Sequence, residues 1–158
     1  MQRRQGMKYK TTNELEHFEF RDACIAEVRL ANRVFTMILD NVIILPENSC
    51  NRDIRRMRTN QLMLRIGEAD IETFIEEGYK VYDANGNIMR QEEDTPVAAK
   101  DYAETFKKLE GCTLYAVEKR DDSYEISIDT EDHTFFIRVA GESDSEEWER
   151  FMNLEESF

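Results

Sequence analysis

Four arginines crowd one stretch of the chain: Arg52, Arg55, Arg56 and Arg58. A guanidinium fork grips a carboxylate or phosphate through paired hydrogen bonds, so the stretch is a candidate anion or partner site. The same forks could instead pair with the acidic end of the chain, where residues 142–156 hold seven carboxylates against one arginine, or stay solvated. His133, which follows Glu131 and Asp132, is a second candidate. On a strand Asp132 would point to the opposite face, whereas Glu131 would share a face with the imidazole and could orient it for proton transfer. A curved sheet can enclose a pocket, and His133 and Tyr124 are candidates for its wall, with Tyr79, Tyr82, Tyr115 and Phe136.

Other chemistry-bearing patterns break at a needed position. Asp83, Asn85 and Asn87 have the spacing of the first calcium-loop ligands and Asp94 falls at the last, but Ile88 stands where the loop needs glycine. The strand-like flanks make an Asn-Gly hairpin turn the better reading. Gly141-Glu142-Ser143-Asp144-Ser145 begins like a nucleophile elbow; its closing glycine is missing and no histidine follows. The closest glycines are eight residues apart, which excludes a dinucleotide fingerprint and a phosphate-binding P-loop. Cys24, Cys50 and Cys112 lack zinc spacing and cannot all pair, so they read as reduced thiols in a cytoplasmic protein. Cys24 and Cys112, beside apolar runs, read as core filler. No catalytic residue, cofactor or metal is expected.

Those side chains need elements to hold them. The 158 residues suffice for one domain that folds without disulfides or metal. Residues 1–16 are polar and expected to be flexible, with a single α+β domain over 17–158. Period-two alternation marks strands at Phe18 and Phe20, Ala26 to Leu30, Phe35 to Leu39, and on to Leu45, where Pro46 ends the ladder. The polar connection 46–60 carries the arginines. Strands follow through Leu62–Leu64–Ile66 and Ile71–Phe74–Ile75, then a hairpin about Asn85-Gly86. Pro96 suits the first position of a helix over 96–109, with Ala99, Tyr102, Ala103, Phe106 and Leu109 on one face. A three-strand meander through Leu114, Tyr124 to Ile128 and Phe135 to Val139 follows. Ser143 with Glu146 resembles a capping box, which predicts a short C-terminal helix turning Trp148, Phe151 and Met152 inward. The expectation is α+β: about seven or eight strands in a mostly antiparallel, strongly curved sheet, one mid-chain helix and one C-terminal helix.

Phe18-Glu19-Phe20-Arg21-Asp22-Ala23-Cys24-Ile25 leads into a first hairpin, and Trp148-Glu149-Arg150-Phe151 follows a last one. Both stretches resemble the ends of small β-rich bacterial families of uncharacterised or immunity-protein type. The likeness covers the two ends and the strand rhythm between them; the helix at 96–109 and the arginine stretch fall outside it. It implies a cytoplasmic protein that binds a partner such as a toxin and has no catalytic residues.

Charge points the same way. Twenty-one basic against thirty-four acidic residues give a net −13, which opposes phosphate neutralisation on nucleic acid and steers the chain towards a basic protein. No apolar run approaches the length that spans a bilayer, and Met1 to Lys8 is followed by no apolar leader segment. The expected function is a non-enzymatic protein-interaction domain, in which a homo-oligomer is also open. The alternative is a small-molecule-binding or enzymatic domain with its pocket inside the curved sheet.

Overall fold

Alternating side chains become a folded layer only where neighbouring strands complete one another's hydrogen bonds. In the computed structural model, which describes residues 7–154, sixteen short strands do so. In chain order these are β1 (Tyr9–Thr12), β2 (Phe18–Glu19), β3 (Cys24–Ala31), β4 (Val34–Asp40), β5 (Val42–Ile44) and β6 (Met57–Thr59). Next come β7 (Leu62–Gly67), β8 (Asp70–Glu76), β9 (Tyr79–Tyr82), β10 (Ile88–Glu92) and β11 (Thr95–Pro96). The helix α1 (Tyr102–Lys108) precedes β12 (Thr113–Arg120), β13 (Ser123–Asp129), β14 (Thr134–Ala140), β15 (Ser143–Trp148) and β16 (Met152–Asn153).

Ten strands form one antiparallel sheet in the order β1-β15-β7-β4-β3-β12-β13-β14-β8-β11. A four-stranded sheet runs β16-β6-β5-β2, and β9 pairs only with β10. The β3–β4 hairpin turns through Asn32 and Arg33, both at positive φ (52° and 60°), the geometry of a tight two-residue connection. In the large sheet, β3 meets β12 through the single register pair Cys24–Thr113. Backbone bonds from Ile25 N–H to the Cys112 oxygen (2.9 Å) and from Leu114 N–H to the Ala23 oxygen (2.8 Å) flank it. Met37 and Leu64 on one side of this seam and Ile126 and Ile137 on the other belong to one buried core. Across that core the Tyr124 hydroxyl donates to Asp144 Oδ2 at 2.7 Å.

Several expectations need correction. The sheet is neither strongly curled nor closed: β1 and β11 remain separate edges, and the strands outnumber the seven or eight expected. The extra ones are mostly two to four residues long, too short for an alternation signal. Within residues 1–16, expected as a flexible lead, β1 pairs with β15 along Tyr9–Trp148 to Thr12–Ser145, and a 3-10 turn begins at Leu15. Met1 to Gly6 of that expectation lie outside the described residues. The mid-chain helix begins later than expected, with a 3-10 turn at Ala99–Asp101 leading into α1. Pro96 ends edge strand β11, where its missing N–H costs no ladder bond. Among the described residues there is no C-terminal helix: β15 takes its place, between β1 and β7.

At the β14–β15 crossing a Cβ on Gly141 would lie 2.3 Å from Ile66 Cγ2, so only glycine allows this close approach. Among the described residues no helix is long and apolar enough to cross a membrane.

Candidate functional site

The β9–β10 hairpin stands apart from the main sheet. Its register runs from Tyr82–Ile88 at the tip to Tyr79–Glu92 at the foot, with a bulge at Met89. Asp83 builds the tip by accepting the N–H groups of Asn85 (2.8 Å) and Asn87 (2.9 Å) on Oδ1. These backbone bonds hold its carboxyl below the usual range, and they identify the segment as a hairpin turn. Val81, Tyr82, Ile88 and Met89 are all exposed along the arm, Met89 by 67%. At the foot, Gly78 N–H donates to Asp94 Oδ1 at 2.7 Å and Glu77 N–H to the Thr134 oxygen at 2.8 Å. A Cβ on Gly78 would fall 2.0 Å from the Glu92 carbonyl oxygen, so the strands can close here only over glycine. Arg90 lies over the Tyr79 ring at 5.5 Å and donates to its hydroxyl.

Beside the foot is a cleft of about 330 Å³ between Glu77, Gly78 and Tyr79 on one side and the 129–134 turn on the other. Glu77, Asp129, Glu131, Asp132 and His133 all line it. None of the four carboxylates forms an ion pair among the described residues. Glu92, Glu93 and Asp94 continue the negative rim along the other strand of the foot. The site is therefore an apolar finger rising from an acidic base.

His133 shapes the turn through its backbone: its N–H donates to Thr130 Oγ1, and its carbonyl accepts from Thr130 N–H and Oγ1. Among the described residues no carboxylate bonds its ring, so the imagined acid–base pair does not form. Tyr124 does not line a pocket with it. Tyr124 pairs with Val139 at one end of β13 while Asp129 pairs with Thr134 at the other, and the Tyr124 ring is fully buried. Burial first, and its bond to Asp144 second, push the Tyr124 hydroxyl well above its ordinary pKa.

The arginines separate into different roles. Arg58 is buried on β6, opposite Ile43 and Met152. Arg56 pairs with Glu19 at 3.3 Å, and Arg55 with Asp53 at 3.2 Å. Arg52 is exposed and faces a second cleft, of about 670 Å³. The four are not one convergent site.

One buried cluster was hidden from sequence reasoning. Asp144 and Glu146 both point inward from β15 and are fully enclosed. Thr11 Oγ1 donates to Glu146 Oε1 at 2.7 Å, while Asp144 Oδ1 and Glu146 Oε2 have no protein partner. Burial, reinforced by the neighbouring Asp144, pushes the Glu146 carboxyl up to about 9. Three positions of residues 143–148 alternate inward, but two of them, Asp144 and Glu146, are acidic, so no apolar alternation marks the strand.

Among the described residues, no group of three or more His, Cys, Asp or Glu side chains could hold a metal. No protein-family model, no curated protein and no solved structure matches the chain.

Proposed function

We propose that the protein is a non-enzymatic interaction protein that docks a basic protein through the β9–β10 arm and the acidic cleft at its foot. One observation carries the reading. Of six large apolar side chains exposed among the described residues, four are on this arm. Stable interfaces place apolar side chains at the centre and polar groups at the rim, and the arm with its carboxylates has that layout. Carboxylates without an ion pair among the described residues, in the cleft at the foot, suit lysine or arginine side chains of a partner, as charge-assisted hydrogen bonds. The net −13 adds attraction at long range. Neutralising a toxin that acts on nucleic acid is one role of this kind, since such toxins tend to be basic. The interior supports contact at the surface rather than a pocket within the sheet: Met37, Tyr124 and Trp148 fill it and are fully buried.

The test is a double variant, Val81→Ser with Met89→Ser. Both positions are exposed, so the core is untouched; a melting curve confirms the fold. Basic proteins retained by the wild type from source cells are identified, and their affinity for both forms is measured. Loss of a central apolar contact of about 2 kcal/mol predicts binding weaker by roughly 30-fold. Unchanged affinity in the variant, or a wild type that retains no basic protein, would reject the proposal.

A further inference from the structure

The loop between β5 and β6 is built to hold a shape. Asn48 and Asn51 are nearly enclosed, with 2% and 8% of their surface exposed. Asn51 Nδ2 reaches the carbonyl oxygens of Ile44, Leu45 and Arg55 at 3.2, 3.1 and 3.2 Å, and its Oδ1 accepts Asp53 N–H at 2.9 Å. Asn48 Oδ1 accepts Cys50 N–H at 2.9 Å. Glu14 anchors the loop from outside by accepting both the N–H and the hydroxyl of Ser49. A segment fixed in this way nonetheless leaves Ile54 93% exposed. It also leaves Arg52 without an ion-pair or hydrogen-bond partner among the described residues, whereas neighbouring Arg55 is matched with Asp53.

Both side chains border the cleft of about 670 Å³. Its other walls are Tyr9, Cys50, Asn51, Asp53, Met57 and Phe151. The Tyr9 and Phe151 rings meet edge to face at 4.8 Å, and each lies 5.7 Å from Trp148 behind them. A concave volume of this size falls within the range of small-ligand sites, about 300–1,000 Å³, whereas a protein partner needs about 800 Å² of surface on each side. Asp53, on the same wall, is held by Arg55 at 3.2 Å, so the unpaired Arg52 guanidinium beside an apolar floor selects a ligand with the opposite charge and an apolar body.

We propose that this cleft binds a small carboxylate carried on an aromatic or branched apolar body. Arg52 takes the carboxylate, and the Tyr9–Phe151 floor with Ile54 takes the body. The site is separate from the β9–β10 arm and does not depend on its role.

Trp148 is the only tryptophan in the chain and touches both floor rings, so its fluorescence is a direct reporter. The experiment titrates the full chain at constant ionic strength with 3-phenylpropionate and, separately, with the neutral 3-phenylpropanol. Calorimetry checks both titrations. Saturable binding of the acid is expected, in roughly the millimolar range for so small a probe, with the alcohol at least about tenfold weaker. Arg52→Gln, at an exposed position with no partner to lose, should keep its melting temperature and bind the acid at least about tenfold more weakly. Equal binding of acid and alcohol, full retention by Arg52→Gln, or no saturable binding of the acid would overturn the assignment.

Discussion

Glu146 is an acid kept in its neutral form by its surroundings. It lies fully buried beside Asp144, with Thr11 as its hydroxyl donor and the Tyr124 hydroxyl engaged on Asp144. In the unfolded chain its carboxyl titrates near the ordinary value of 4.5, and in the folded protein burial raises that to about 9. Between these values the unfolded state has released a proton that the folded state still holds. Stability from this group is thus complete below about 4.5 and drains away as pH rises towards about 9. Glu146→Gln keeps a neutral side chain of similar shape at every pH. Urea denaturation across that window should show a wild type that weakens with pH relative to Glu146→Gln; parallel curves would contradict the buried acid. Tyr124→Phe should be destabilising at all pH values in the window, by about 1–3 kcal/mol, because it leaves Asp144 Oδ2 without its donor.

At the scale of elements, β15 shows how context overrides local pattern. Residues 143–148 have a capping-box spacing, yet β1 and β7 flank them and supply four and five register partners. As a helix, the segment would strip those edges of hydrogen bonds. Extended, it also turns Trp148 into the ring cluster of Tyr9, Phe18 and Phe151. The arm depends on its glycine hinge: a methyl group at position 78 would collide with the Glu92 carbonyl. Gly78→Ala should therefore displace the strands at the foot while leaving the buried core of Met37, Leu64 and Ile126 in place. Hydrogen exchange would show faster exchange confined to residues 78–95 and partner affinity would fall; global unfolding of the variant would show instead that the arm and body are one cooperative unit.

For the whole molecule the dominant long-range fact is charge. A net −13 on 158 residues would draw in the basic partner proposed above before any contact forms, over a range that shortens with the Debye length as salt is added. Stopped-flow association with the basic partner should slow by about tenfold or more between low and high salt, with a much smaller change in dissociation rate. An association rate indifferent to salt would remove the steering role, leaving the arm's apolar contact to be judged on its own.

The hairpins were legible because their cause is local: alternating apolar residues in β3, β4, β13 and β14 dictate an inner face, and residues such as Asn32 accept the backbone of tight turns. The same local reading marked 83–87 as a turn; it also took 46–60 for a polar connection, in which Met57–Thr59 is in fact strand β6. It could not separate Arg52 at a cleft from Arg58 in the interior, because Arg58 is turned inward by the pairing of β6 with β5 and β16, partners distant in the chain. Nor could it find the buried Asp144 and Glu146, whose type alone says solvent. Apolar periodicity determined the long hairpin strands such as β3, β4, β13 and β14; only the tertiary structure decided that 143–148 became strand, which hairpin stayed uncovered and which carboxyls were enclosed, since burial belongs to the neighbours a residue acquires.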